Sequence, residues 1–193
     1  MLTIRRAVLV VMAMLPVVGG AQVATATIAS AGATAGLPGI SMFEAKHSRS
    51  CLAVAGGRQD NGAPLVQFAC DQGKTNEWFG LVPLSDGHYA ILTTAPGTAF
   101  KSFGVTYGNK CLSVDGWSTA NGASVLQWDC GPRPNPAQEW QYIGNPGLGA
   151  HFYNVWSGLY MSVSGGSTWN NAEIVQWSYN AQDNQGWTQE MVV

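Results

Sequence analysis

CLSVDGWSTANGASVLQWDC occupies Cys111–Cys130, and the same twenty-residue phrase is written twice more in the chain. CLAVAGGRQDNGAPLVQFAC begins at Cys51 and YMSVSGGSTWNNAEIVQWSY at Tyr160; each copy ends nineteen positions after it starts, at Cys70, Cys130 and Tyr179. Without a gap, Val54, Val114 and Val163 correspond, as do Asn61, Asn121 and Asn170, and then Gln67, Gln127 and Gln176. The aromatic residues Phe68, Trp128 and Trp177 also align, and a tryptophan follows each unit: Trp78, Trp140 and Trp187. Internal repetition therefore comes first in deciding the fold.

Each copy predicts strand, turn, strand. The opening segment, such as Cys51 to Val54, is short and apolar, and the closing one, such as Leu65 to Phe68, is β-prone. Between them lie Gly, Asn and Ser, with Asn61-Gly62 and Asn121-Gly122 as strong turn dipeptides. Asn61, Asn121 and Asn170 are accordingly expected to be turn residues that tolerate left-handed backbone angles. Further strands are expected between the copies, and HYAIL from His88 and HFYNV from His151 look like corresponding opening strands. No segment after the N-terminal stretch keeps a helical period. The expectation is an all-β domain over 40–193, with repeats of about 40–83, 84–143 and 144–193. The stretch Thr93–Lys110 is the one unusual insertion and has the composition of a flexible loop.

The N-terminal stretch has a different character. Arg5 and Arg6 precede a charge-free run from Ala7 to Val18, followed by small residues with Ala-x-Ala sites ending at Ala26 and Ala31. This is the layout of a secretory signal peptide over 1–31, with cleavage between about 21 and 35. A membrane anchor is the rival, but a span needs about 20 apolar residues, and Pro16 and Gly19-Gly20 cut this run short. Removing the segment takes the net charge from -2 to -4. An acidic chain without Lys/Arg clusters lacks the positive charge that phosphate backbones and anionic lipid surfaces require. No nucleic-acid or membrane partner is expected. Charged residues make up only 10% of the chain, while Trp and Gly are prominent, a surface suited to uncharged, hydroxyl-rich partners.

Four cysteines behind a signal-like segment imply disulfides rather than a metal site, since metal-ligand spacing is absent. The repeat pairs Cys51 with Cys70 and Cys111 with Cys130. In the third copy Tyr160 and Tyr179 replace both cysteines together, as expected of a bonded pair. Each bridge closes a loop worth roughly 3 kcal/mol in the chain-entropy model.

CLAV…VQFAC…TNEW, CLSV…LQWDC…AQEW and YMSV…VQWSY…NQGW resemble the ricin B-type lectins, also known as family 13 carbohydrate-binding modules, of the secreted bacterial type. The resemblance covers about Ile40 to Val193. It implies a β-trefoil: a six-stranded barrel closed at one end by three hairpins, with pseudo-threefold symmetry and room for one shallow sugar pocket per repeat. It also implies a glycan or polysaccharide partner. The family's sugar-binding Asp in C-L-D-V is Ala53, Ser113 and Ser162 here. The family Asn three places before the last Trp falls on Thr75, Ala137 and Asn184. The aromatic that stacks on the sugar ring survives as Phe68, Trp128 and Trp177.

A sugar offers an apolar C–H face and a ring of hydroxyls, so a matching site needs an exposed aromatic plane and a few directed polar groups. The third repeat keeps the most: Ser162, Gln176, Trp177, Asn184 and Gln185. The second has Gln127 and Trp128, with Asp115 as a substitute acceptor and Asp129 beside the tryptophan. The first, lacking both Asp and Asn, is expected to be silent or weak. Against this stand structural readings. Trp78, Trp140 and Trp187 are expected in the core, Trp128 and Trp177 are as readily structural as stacking, and Asp115 is equally a turn residue. Whether the Gln side chains face a pocket is left open by strand alternation.

No histidine adjoins a Ser or Cys in a nucleophile motif, and the acidic residues are scattered, so catalysis is not expected. No cofactor or metal is expected, and the chain is expected to be a monomer. The competing classes are a degenerate lectin kept for protein–protein contact and a secreted trefoil protease inhibitor presenting the 93–110 insertion.

Overall fold

A computed structural model describes residues 39–84, 87–94, 100–102, 105–107, 110–131, 135–145 and 149–192. The expected signal peptide lies outside the described residues. In chain order the described strands are β1 (Ile40–Ala45), β2 (Cys51–Val54), β3 (Ala63–Phe68), β4 (Phe79–Pro83), β5 (His88–Thr93), β6 (Phe100–Ser102), β7 (Val105–Tyr107), β8 (Lys110–Val114), β9 (Val125–Asp129), β10 (Glu139–Asn145), β11 (Gly149–Asn154), β12 (Tyr160–Val163), β13 (Ile174–Trp177) and β14 (Trp187–Met191).

Six of them close a ring. β1 pairs with β4, β4 with β5, β5 with β10, β10 with β11, β11 with β14, and β14 returns to β1, all antiparallel. Closure leaves this barrel no unpaired edge. The other elements of the repeat are the hairpins β2–β3, β8–β9 and β12–β13. The hairpins also touch one another: β3 pairs with β9, and the bridges Ser124↔Val175 and Val66↔Glu173 complete the triangle. The fold is an all-β trefoil, as the repeats imply. The 93–110 insertion departs from the loop expected there, because β6 and β7 pair as a short hairpin within it.

Strand alternation explains which repeat positions are interior. In the three opening strands Leu52 with Val54, Leu112 with Val114, and Met161 with Val163 enter the core, joined from the closing strands by Leu65, Val125 and Ile174. Barrel residues Phe43, Tyr142 and Phe152 fill its centre; Phe43 and Phe152 meet edge to face with centroids 5.0 Å apart. Trp140 and Trp187 are fully buried, and their indole N–H groups donate to Leu112 O at 3.1 Å and Met161 O at 3.5 Å. The expected core role of Trp78 is a correction: it is only half-buried, and the adjacent Phe79 is the residue with no exposure. Burying such a side chain contributes roughly 1.5–3 kcal/mol.

The conserved-looking Asn and Gln of the phrase join repeats to one another. Gln67 Nε2 donates to Ser167 O and Trp169 O, Gln127 Nε2 to Arg58 O and Asp60 O, and Gln176 Nε2 to Ser118 O and Ala120 O. Each glutamine thus satisfies two carbonyls in the turn of the preceding repeat. That turn reciprocates: Asn61 Oδ1 accepts from Asp129 N–H, Asn121 Oδ1 from Ser178 N–H, and Asn170 Oδ1 from Ala69 N–H, at 2.8–2.9 Å. The three asparagines are therefore clasps, not left-handed turn residues. The positive φ falls one residue later, on Gly62 (81°), Gly122 (84°) and Asn171 (65°).

Both expected bridges are present, Cys51–Cys70 and Cys111–Cys130, each spanning nineteen residues. The two histidines thought to correspond do not. Cross-strand pairs Leu92↔Cys111 and Tyr153↔Tyr160 fix the register, and His88 lies four residues before Leu92 while His151 lies two before Tyr153.

Candidate functional site

One surface cleft recurs in each repeat. Its floor is the third residue of the opening strand (Ala53, Ser113 or Ser162), which alternation turns away from the core. One wall is the single-turn 3-10 helix after that strand: Ala55–Gly57, Asp115–Trp117 or Ser164–Gly166. The other carries the aromatic at the end of the closing strand, Phe68, Trp128 or Trp177. The cavity volumes are about 320, 300 and 260 Å³ in chain order. The aromatic in each case lies over the preceding repeat's turn: a Cβ on Gly62 would meet Trp128 at 3.7 Å, and one on Gly122 would meet Trp177 at 3.5 Å. Where that turn carries Asn171 instead of glycine, the partner is the smaller Phe68, and both line the first cleft.

In the third cleft Asn184 Nδ2 donates to Ser162 Oγ at 2.9 Å and Val163 O at 3.0 Å. Its Oδ1 accepts from Asn180 Nδ2 at 3.3 Å. Asn180 and Gln182 complete the polar rim, and Trp177 is 44% exposed. Gln185 is not at the rim. It is fully buried, accepting from Asn180 N–H and donating to Ser178 O, so it shapes the loop behind Asn184. Gln176 and Gln127 likewise line none of the described clefts and are buried in the inter-repeat clasps. Their assignment as binding residues is corrected: the Gln lies next to the aromatic in sequence, and adjacent strand residues face opposite ways.

The second cleft brings together Ser113, Asp115, Trp117, Trp128 and Asn135. Asp115 opens the 3-10 turn, its C=O accepting from Ser118 N–H at 3.0 Å, and also lines the cleft, so its two readings coincide. Asp129 does not join it. Hydrogen bonds from Lys110 and Asn61 commit that carboxylate to the clasp and hold its pKa below the usual range.

The first cleft is better equipped than the sequence alignment implies. Asn76 Nδ2 donates to Val54 O at 3.1 Å, the same bond that Asn184 makes to Val163 O. Asn76, and not Thr75, is therefore the counterpart of Asn184. The one-residue shift is the same that puts Phe79 in place of Trp78. Lys74 reaches over the Phe68 ring at 5.6 Å, and Glu77 lies at the back of the cleft where the other repeats have Gln138 and Gln185. Burial raises the Glu77 pKa, opposed in part by the hydrogen bond from Asp71 N–H.

Trp117 was not singled out by sequence, although the ungapped alignment contains the signal: it stands where the other copies have Gly57 and Gly166. Its φ is 56°, against 63° and 61° for those glycines. The left-handed backbone costs an L-residue roughly 1–2 kcal/mol.

Three clefts that each combine an aromatic plane with amide and hydroxyl groups define a β-trefoil of the lectin class. A family described as Ricin-type beta-trefoil lectin domain matches residues 40–187, and the chain belongs to that family. Among solved structures it is similar to a designed threefold-symmetric protein, ThreeFoil, with 27% identity and a TM-score of 0.67 over 78% of this chain and 96% of that one. It is also similar to an exo-β-1,3-galactanase from Clostridium thermocellum, with 23% identity and a TM-score of 0.67. That match covers 80% of this chain and only 30% of the enzyme's length. A Macrolepiota procera ricin B-like lectin, solved with lactose, matches over 81% of this chain and 97% of its own, with 11% identity and a TM-score of 0.62. No curated protein matches the chain by sequence.

Proposed function

We propose that the protein is a secreted, non-catalytic carbohydrate-binding module of the family 13 type, acting as a monomer through its repeated clefts. The observation that carries this reading is the pair of tryptophans Trp128 and Trp177, exposed by 47% and 44% at the same place in two repeats, each beside a polar rim. Large aromatic side chains kept half in water above a cleft suit the C–H face of a pyranose ring. In the third repeat the contacts are Trp177, Ser162 and Asn184, with Asn180 and Gln182. In the second they are Trp128, Asp115 and Ser113, with Asn135. The first cleft, with Phe68 and Asn76, is included as a weaker site. Gln127, Gln176 and Gln185 act indirectly, by holding the walls. Secretion is supported by the signal-like N-terminal segment together with two disulfides.

The test is retention of the oxidised domain on a glycan array and on insoluble polysaccharides. Xylan and β-1,3-galactan are included, the latter because one structural relative is a β-1,3-galactanase. Trp128→Ala and Trp177→Ala, verified as folded, are run beside the wild type. Binding lost in a folded variant identifies the active repeat. A second reading, a degenerate lectin serving protein–protein contact, is favoured by the absence of a carboxylate at Ala53, Ser113 and Ser162. Failure of the folded domain to retain any glycan selects it.

A further inference from the structure

The second repeat departs from its siblings at two facing positions. In the first and third repeats the left-handed residue of the 3-10 turn is glycine, and an added Cβ there would lie 3.8 Å from Asn76 and 3.9 Å from Asn184. The turn glycine and the cleft asparagine are thus neighbours across the wall. In the second repeat both change: the glycine becomes Trp117 and the asparagine becomes Ala137, which is fully buried. A hydrogen-bonding wall has been exchanged for an aromatic one.

Filling space left by a smaller neighbour does not account for Trp117, because 48% of it remains exposed to water. Nor is it loose. Trp156, from the turn after β11, meets it edge to face with centroids 5.4 Å apart, and the Trp156 indole N–H donates to Trp117 O at 2.9 Å. A bulky residue is held in a backbone conformation that L side chains resist, by a partner from another repeat, with its ring at the mouth of a cleft. Strain of this kind persists where surrounding structure enforces it, and it concentrates at binding sites.

We propose that Trp117 gives the second cleft a second stacking surface, so that it takes two contiguous rings of a neutral polysaccharide chain where the first and third clefts take one. Trp128 and Trp117 stand on different walls of the same cleft and would each receive one ring. The ligand is neutral because Asp115 is the charged residue lining this cleft, and a carboxylate repels uronate or sulfated chains. Trp156 is a positioning residue that acts through Trp117. The inference rests on the sugar-binding reading and adds to it a chain-length preference confined to one repeat.

The experiment compares the wild-type chain with Trp117→Gly, which restores the residue of the sibling repeats, and with Trp117→Phe. The probes are xylose and xylotetraose, and galactose and β-1,3-galactotetraose, titrated by calorimetry and by the indole N–H resonances of ¹⁵N-Trp protein. Wild type should bind one tetrasaccharide roughly tenfold more tightly than its monosaccharide, the effect of one further aromatic contact. Trp117→Gly should lose that increment with monosaccharide affinity unchanged, and Trp117→Phe should keep part of it. The Trp117 resonance, identified by its absence from the variants, should shift with the tetrasaccharide and not with the monosaccharide. An increment that persists in a folded Trp117→Gly overturns this inference and leaves the sugar-binding reading intact. A wild-type chain that binds none of the four probes overturns both.

Discussion

Tyr160 and Tyr179 lean ring against ring, centroids 5.1 Å apart, at the two positions where the other repeats carry their disulfides. His151 adds an edge contact to Tyr179 at 5.3 Å, and Tyr153 one to Tyr160 at 5.3 Å. An aromatic cluster therefore holds the third hairpin where a covalent bond holds the first two. Register is conserved as well: Tyr160 pairs with Trp177 as Cys51 does with Phe68 and Cys111 with Trp128.

Because the backbone geometry matches, the double variant Tyr160→Cys/Tyr179→Cys should form a third bridge. A loop of this length gains roughly 3 kcal/mol, less about 0.5–1.5 kcal/mol for each lost aromatic contact. Thermal melts should show a higher Tm than wild type when oxidised and a lower one in excess dithiothreitol. A double variant whose oxidised and reduced melts shift no further apart than those of wild type would mean the hairpin cannot close.

Glu77 predicts a pH effect of definite sign. Its side chain is fully buried, Oε1 has no hydrogen-bond partner, and burial raises its pKa above the ordinary carboxylate value of 4.5. A raised folded-state pKa means that ionisation opposes folding. This carboxyl's favourable contribution is present below the unfolded pKa and is lost as pH rises through the folded one. Glu77→Gln removes the loss and supplies an amide like that of Gln138, which donates to Asp129 O, and Gln185, which donates to Ser178 O. The variant should be more stable at pH 7 by about 1 kcal/mol, with no advantage near pH 4. Urea midpoints at the two pH values check this. Equal gains at both would remove the charge from the explanation.

The clasps between repeats should cost more to break than surface hydrogen bonds. Gln67→Ala leaves Ser167 O and Trp169 O without the amide and removes the acceptor of Ser48 Oγ, which donates to Gln67 Oε1 at 2.8 Å. Buried polar groups left unpaired cost about 1–3 kcal/mol. Denaturant unfolding should show a loss of about 2–4 kcal/mol for Gln67→Ala or Gln176→Ala, with a single transition retained, since each repeat depends on its neighbour for closure. A loss under 0.5 kcal/mol would show that the turns hold without them.

The threefold phrase carried the fold class, the strands of the hairpins and both bridges, because hydrophobic alternation and paired cysteines are local signals. It did not carry which face a polar side chain serves. Gln127 and Gln176 looked like ligand contacts beside Trp128 and Trp177, yet their amides are taken by a turn some 56–69 residues away in sequence. Asn180 and Gln182 went unnoticed for the converse reason: they become a rim only when the loop after β13 folds back over Ser162. The cleft tryptophans were legible as aromatics in register, but their exposure depends on the neighbouring repeat's glycine, which no single unit contains.

Register in the first repeat offers the sharpest contrast between sequence and structure. Alignment by tryptophan makes Trp78 the counterpart of Trp140 and Trp187, whereas the bond from Asn76 to Val54 O makes Phe79 the counterpart. Phe79 is fully buried and tilts against Phe43, centroids 6.2 Å apart. Trp78 is half-buried, with an indole N–H that lacks a hydrogen-bond partner. The two registers predict opposite orders of stability. Removing a core aromatic costs about 3–5 kcal/mol, so Phe79→Ala should unfold at much lower denaturant than wild type. Trp78→Phe keeps most of the apolar surface and deletes the unpaired N–H, so it should stay within about 1 kcal/mol of wild type. Comparing the two variants by urea titration decides the register: a Trp78→Phe loss as large as that of Phe79→Ala would restore the alignment by tryptophan and place Asn76 outside the cleft pattern.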